Sequence, residues 1–349
     1  MYRMIRLARA LACALWAAAP AAWPAAPAVL EQPALGSPKA LAAVTLAVAR
    51  AGSRLVAVGE RGTILLSDDD GRSWKQAQVP VRTSLTAVQF VDAKSGWAVG
   101  HLGVVLKTED GGQTWVKQLD GIRAAELVLQ AARQAGDAKA IADARSLVDD
   151  GPDKPFFDLY FENARTGYIV GAYNLMFKTS DGGTTWQPWQ AHVANPKGLH
   201  LYSIRAAGPA LYVAGEQGVL LRSTDQGNSF TPLESPYKGT WFGLLAARGG
   251  ALVAFGLRGN AFRSDDDGRS WHRIETGTQA AIAAGTELAD GALVLVSQSG
   301  DLLVSRDHGR SFAAQKNDPL PLAAVAQARD NGLVVAGLRG IKRLAALPQ

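Results

Sequence analysis

Cysteine is almost absent from this 349-residue chain, with Cys13 the only one. That excludes a disulfide framework. Histidine is scarce as well. His101, His192, His200, His272 and His308 include no pair at metal-ligand spacing and no H-E-x-x-H. No G-x-x-x-x-G-K segment is available to cradle a phosphate. No metal, nucleotide or other cofactor is therefore expected. Long apolar runs are missing too: ALACALWAAAPAAW (residues 10–23) is short and broken by Pro20, with Pro24 just beyond, so it does not read as a membrane span. Arg3, Arg6 and Arg9 precede it, and Ala26-Pro27-Ala28 offers a small-residue cleavage site. Residues 1–28 read as a signal peptide that sends the mature chain to the periplasm. Cys13 sits too early for the rival reading, a lipoprotein. Removing that segment takes away three Arg and no acid, so the net charge of +5 falls to +2. The mature chain then has no cysteine and no thiol chemistry, and its charge does not argue for nucleic acid.

What is present is one phrase, S/T-x-D-x-G-x-S/T-W/F, written six times: Ser67–Trp74, Thr108–Trp115, Thr179–Trp186, Ser223–Phe230, Ser264–Trp271 and Ser305–Phe312. Four of the five intervals between copies are 41, 44, 41 and 41 residues, and the remaining one is 71. A period near 40 marks an array of one small unit. Upstream of each copy lie two apolar runs joined by a Gly-containing turn, as in LVAVGERGTILLS and LYVAGEQGVLLRS. A further run precedes each such hairpin and another follows it. Four antiparallel strands per unit make the blade of a β-propeller. A seventh hairpin, Leu333–Leu344, ends the chain without the phrase. The expected fold is all-β: a seven-bladed β-propeller of four-stranded antiparallel blades, occupying residues 29–349 as one domain.

The phrase reads mechanically. Its Asp (Asp69, Asp110, Asp181, Asp225, Asp266, Asp307) can accept backbone N–H bonds in the turn between the third and fourth strands. Its Gly supplies a conformation other residues resist. Its aromatic enters the fourth strand and wedges against the next blade. A Ca²⁺ site is the functional alternative for such acidic turns, but the ligand spacing of an EF-hand loop is missing. To close the ring, VLEQPAL (Val29–Leu35) resembles the fourth-strand segment WKQAQVP. It is expected to pair with the Gly337–Leu344 strand and leave no exposed edge.

The 71-residue interval holds GIRAAELVLQAARQAGDAKAIADARSLVDD, about residues 121–150. Ala and Leu favour helix, Gly136-Asp137 interrupts it, and Asp137 is a fitting N-cap. A helical hairpin is expected between blades two and three. Chain direction alternates within a blade, so this hairpin shares a face with the turns between second and third strands. The acidic turns lie on the opposite face. The hairpin turns contribute Arg61, His101, Tyr173, Glu216, Arg258, Gln298 and Arg339, and the blade connections add Arg82, His200, Lys238 and Trp241. A surface Arg in a turn is most often a solvated side chain. The expectation of a partner-binding face at Arg61, Arg82, His101, Tyr173, Lys238, Trp241, Arg258 and Arg339 rests on their convergence on one side. The helical hairpin either packs on the rim or serves as a docking element.

The GxxG–strand–Asp-phrase repeat, the seven-fold count and the link DDGPDKPFFDLYF (Asp149–Phe161) after a helical insert resemble the photosystem II stability/assembly factor-like family of Asp-box (BNR-like) propellers. The link is most similar to the non-photosynthetic bacterial branch, which the resemblance associates with secretion and with RND-type exporters. It implies a non-catalytic periplasmic scaffold that binds a protein partner, such as a membrane protein complex or an exporter, and assists its assembly or operation. It also implies an Arg-rich contact patch, for which Arg61, Arg258, Arg339 and Arg82 are the counterparts. Leu102, Tyr173, Gln217 and Ser299 depart from Arg at the matching turns.

The alternative is a sialidase-like glycoside hydrolase. Three Arg could grip a substrate carboxylate, with Tyr173 and Glu216 as nucleophile and base. Against it, the arginines recur because the turn recurs, no Arg-Ile-Pro segment precedes the first phrase, and sialidases have six blades. The expectation is no catalysis.

Overall fold

Seven antiparallel sheets follow one another along the chain, each built in simple sequence order. The structure is a computed structural model and describes residues 26–315 and 320–347. The expected signal peptide, with Cys13, lies outside the described residues as far as residue 25. Blade one comprises Thr45–Ala51, Arg54–Gly59, Ile64–Ser67 and the short outer strand Lys75–Gln76. The innermost strands of blades two to seven are Leu85–Phe90, Phe156–Phe161, Leu201–Ala207, Trp241–Ala246, Ile282–Glu287 and Leu322–Gln327. Six blades have four strands, and the seventh has three among the described residues. The chain is thus the expected seven-bladed β-propeller.

The second strand of every blade is buried along almost its whole length, because each sheet is sandwiched between its two neighbours. Continuous apolar runs such as LVAVG and LVLVS suit such two-sided burial better than alternation does. Aromatic rings thicken the joints between blades: Trp97 stacks on Phe161 at 3.7 Å between centroids and 8° between planes. The glycine that ends the second strand is fixed by close approach. A Cβ at Gly59, Gly100, Gly215 or Gly256 would stand 2.0–2.2 Å from the carbonyl oxygen of Val44, Ser84, His200 or Thr240. The incoming blade connection therefore runs directly over the strand end.

The acidic turns behave alike. In blade five, Asp266 Oδ1 accepts from Ser264 Oγ and from the Ser270 backbone N–H, both at 2.8 Å, while Oδ2 accepts from Ser270 Oγ at 2.6 Å. The same three bonds recur around Asp69, Asp181, Asp225 and Asp307. The terminal aromatic folds back, its indole N–H donating to the turn glycine's carbonyl in Trp74, Trp115 and Trp271.

Closure differs from the sequence expectation. Val29–Leu35 does not pair with the Gly337–Leu344 segment. Its backbone is held by blade one and the link into blade two, with Arg82 N–H donating to Val29 O at 2.7 Å and Ala34 N–H to Val79 O at 3.0 Å. The cause is burial: Leu30 is sealed in the same cluster as Val79, Val81 and Leu85, which a place on the open edge of blade seven would not offer. Only the following turn, Ala40–Ala42, reaches the last strand, where the Leu41 carbonyl lies against Gly340. Blades one and seven meet instead through Leu55, Ala326, Ala328 and Val334, with charged residues at the margin.

The insertion is the expected helical hairpin. Helix α1 (Gly121–Ala135) is capped by Asp120, whose carboxylate accepts from Arg123 N–H, and it ends at left-handed Gly136. Helix α2 (Ala138–Asp149) is capped by Asp137, which accepts from Lys139 and Ala140 N–H. Ala124, Leu127, Val128 and Leu147 pack with Phe156, Leu175 and Trp186 of blade three. The hairpin therefore rests on the rim through its small and aliphatic residues.

Candidate protein-binding face

In blades one to five the turn between second and third strands holds a non-glycine residue in the left-handed region: Arg61, Leu102, Tyr173, Gln217 and Arg258, with φ between 51 and 58°. Such a conformation is uncommon outside glycine. Its repetition shows that the turn, and not chance, sets the direction of these side chains. Arg61, Tyr173, Gln217 and Arg258 are exposed and Leu102 is half-buried beneath the rim. In blades six and seven the tighter turns Ser297–Gly300 and Gly337–Gly340 leave only the glycine left-handed, and Arg339 is exposed beside it.

These turns share a side with the blade connections. A Cβ at Gly62 would meet Val81 O, and one at Gly103 would meet Gly121 at the start of α1. The helical hairpin is therefore on the turn face. The acidic turns are on the other side, where Gly111 and Gly182 donate to Lys94 O and Arg165 O in the turns between first and second strands.

The structure sorts the eight proposed face residues into four groups. The side chains of Arg61, His101, Lys238, Arg258 and Arg339 are exposed and make no hydrogen bond or ion pair with another described residue. Tyr173 is 60% exposed. Its ring meets the His200 ring edge-on at 4.6 Å, its backbone N–H donates to His200 Nδ1 at 3.0 Å, and Lys154 Nζ lies 5.5 Å over it. Arg82 is already engaged, its Nε and Nη2 donating to Pro33 O at 3.3 and 3.2 Å. It fastens the N-terminal segment.

Trp241 must be withdrawn from the face. It is completely buried, packed edge-on against Tyr237 and Phe262, and its indole N–H donates to Ser235 Oγ at 3.2 Å. Position in a blade connection suggested exposure. In fact the residue opens the innermost strand of blade five, where the side chain turns inward between sheets.

The axial channel opens between the innermost strands of all seven blades. Its one ion pair among the lining residues joins Arg205 to Asp158, and Asp158 also accepts from Ile204 N–H at 3.0 Å. Phe157, Tyr202 and Phe242 line the same channel, and nothing in the sequence distinguishes them from other strand residues.

The tyrosine–glutamate pairing of a sialidase is not made. Glu216 Oε2 accepts from His200 N–H at 3.2 Å and lies 3.8 Å from its Nδ1, while the Tyr173 hydroxyl has no hydrogen-bond partner among the described residues. Among the described residues no group of three or more His, Cys, Asp or Glu is placed to hold a metal ion.

Ring, turn face and rim hairpin together define a single-ring repeat propeller with a structural side and an open side that carries exposed cations. The family model described as photosynthesis system II assembly factor YCF48 matches residues 66–154 and 142–320. The chain belongs to that family. Photosystem II assembly lipoprotein Ycf48 of Synechococcus sp. (strain CC9902) is 32% identical over 76 residues, which is 22% of this chain and 23% of that protein, so the match spans about a quarter of the relative's length. A solved structure of YCF48 bound to D1 peptide superposes with a TM-score of 0.66 at 15% identity, covering 91% of this chain and all of the other. YCF48 from Cyanidioschyzon merolae gives 0.62 at 13% identity, covering 89% and 97% of the two chains. A GH74 xyloglucanase from Xanthomonas campestris also gives 0.62, at 14% identity, with 86% and 52% covered. At such identities these likenesses show the fold alone.

Proposed function

We propose that this chain is a non-catalytic protein-binding scaffold that uses its turn face to dock a partner and assist the assembly or operation of a membrane protein complex. The observation that carries the reading is the set of exposed cations, Arg61, Lys238, Arg258 and Arg339, held on one face with no counter-ion among the described residues. Exposed cations on a rigid rim, while Glu60 and Glu216 of the same turns are held by backbone N–H groups, favour an acidic partner segment and speed encounter with it. Family membership supports the same reading, since a relative's structure holds a D1 peptide. The mature chain works in the periplasm after removal of residues 1–28, and an RND-type exporter is the proposed partner class.

The test is crosslinking in intact cells with a tagged full-length chain, followed by mass spectrometry of retained proteins. Recovery of one membrane complex, lost when Arg61, Arg258 and Arg339 are reversed to Glu, supports the proposal. Recovery unaffected by those reversals overturns it. Fractionation of the same cells locates the mature chain.

A further inference from the structure

The innermost strand of every blade carries a register shift at the same place. The pairing skips Leu46, Thr86, Phe157, Tyr202, Phe242, Ala283 and Ala323 in blades one to seven. A β-bulge frees its extra residue from the ladder and re-aims the side chain. Here all seven skipped residues line the axial channel. Three consecutive blades put aromatic rings there, whereas blades six and seven put methyl groups.

The rings touch. Phe157 stacks on Tyr202 at 4.7 Å and 20°, and Tyr202 meets Phe242 edge-on at 5.5 Å. His200 lies 6.1 Å from Phe157 and 6.2 Å from Tyr202, and Tyr173 lies 4.6 Å from His200. An unbroken series of rings thus runs from the exposed turn of blade three down into the channel. Phe157, Tyr202 and Phe242 remain half-buried, each with part of its surface open. The charge within the channel is already balanced by the Arg205–Asp158 pair. Cations without an ion-pair partner among the described residues are outside, on the turn face.

The geometry points to a peptide-binding site at the channel mouth. Its occupant is an extended segment of the protein partner that inserts one aromatic or large aliphatic side chain against Phe157, Tyr202 and Phe242 and sets acidic neighbours on the turn cations. The small walls at Ala283 and Ala323 leave the room, the rings supply desolvated contact of the kind that dominates protein recognition, and Arg61, Lys238, Arg258 and Arg339 supply the complementary charge. This inference rests on the turn face being a protein-docking surface.

The test uses the mature full-length chain and fluorescein-labelled twelve-residue peptides in fluorescence anisotropy. One peptide has a central phenylalanine flanked on each side by two acidic residues in a Gly/Ser background. The others replace the phenylalanine with alanine or the acids with lysine. The phenylalanine acidic peptide should bind at least ten-fold tighter than either control. Ala283→Trp and Ala323→Trp, which fill the open side without removing a ring, should abolish that preference, and Tyr202→Ala should weaken it with thermal unfolding monitored alongside. Equal binding of the phenylalanine and alanine peptides, no binding of either, or displacement of the bound peptide by xyloglucan oligosaccharides overturns the inference. Crosslinked partner recovery separates the two readings. If Ala283→Trp leaves recovery intact while the arginine reversals abolish it, the face stands and the channel site falls.

Discussion

Asp70 and Arg329, 259 residues apart in sequence, lie in direct contact across the seam between blades one and seven: Asp70 Oδ1 accepts from both the backbone N–H and the Nε of Arg329 at 3.1 Å. Arg343 Nε donates to the Asp70 carbonyl at 2.9 Å, and Arg72 reaches Asp330 at 2.6 Å. The hydrogen bond from Arg329 holds the Asp70 carboxyl below its ordinary range. This network crosses a junction that no shared strand bridges among the described residues. Asp70→Ala should lower Tm by several degrees and increase hydrogen exchange first in Leu322–Leu344. Exchange rising uniformly around the ring would show that the seam is not where the molecule opens.

Acid should unfold the chain through its turn aspartates. Burial would raise Asp307, but hydrogen bonds from Ser311 and Ser305 bring it down to about 2. Asp69, Asp225 and Asp266 are held low first by hydrogen bonds from the side chains of Ser73, Ser229 and Ser270. Their reference value is 3.8. A carboxyl with a depressed folded pKa stabilises fully above the unfolded value, and that contribution is lost as pH falls through the folded one. Tm by circular dichroism should be flat above about pH 5 and fall between about pH 4 and 2. Asp266→Ala should lower the neutral-pH Tm and shrink that acid-dependent fall, while partner capture by the folded fraction is unchanged.

The turn arginines should behave in the opposite way. Reversing Arg61, Arg258 and Arg339 to Glu removes no contact among the described residues, so stability should shift by about 0.5 kcal/mol or less per site. Partner capture should fall sharply, and more so at low ionic strength. A loss of several kcal/mol on urea unfolding would assign these residues a structural role.

Trp241→Ala should cost about 3–5 kcal/mol, the usual penalty for emptying a fully buried aromatic site. Urea unfolding reads this directly. Capture by the folded fraction should be unchanged, since a face residue would affect capture and not stability.

Much of the architecture was legible because the repeat is written in residues with backbone duties. Asp266 and Gly268 belong to a phrase that prescribes a turn wherever it occurs, and its six copies count six of the seven blades. Asp137 marks the second helix for the same reason, whereas Asp120, the cap of the first, follows a strand with no break to announce it. Closure is not legible because VLEQPAL looks like an outer strand in composition, and composition does not say which edge buries Leu30 best. The face was half legible. Arg61 and Arg258 sit in recognisable turns, but Trp241 and Arg82 look alike in sequence to exposed connection residues, and only packing shows that one is enclosed and the other occupied. The channel aromatics were invisible for a subtler reason. Phe157, Tyr202 and Phe242 acquire their direction from a register shift, which no local pattern in the strand announces.

Those seven register shifts separate upkeep from vocabulary. The skipped position takes no part in strand pairing, and it holds phenylalanine, threonine or alanine in different blades of the same ring. Divergence can therefore respell the lumen one wedge at a time while the toroid stays intact, and two paralogues with superimposable backbones can read different ligands.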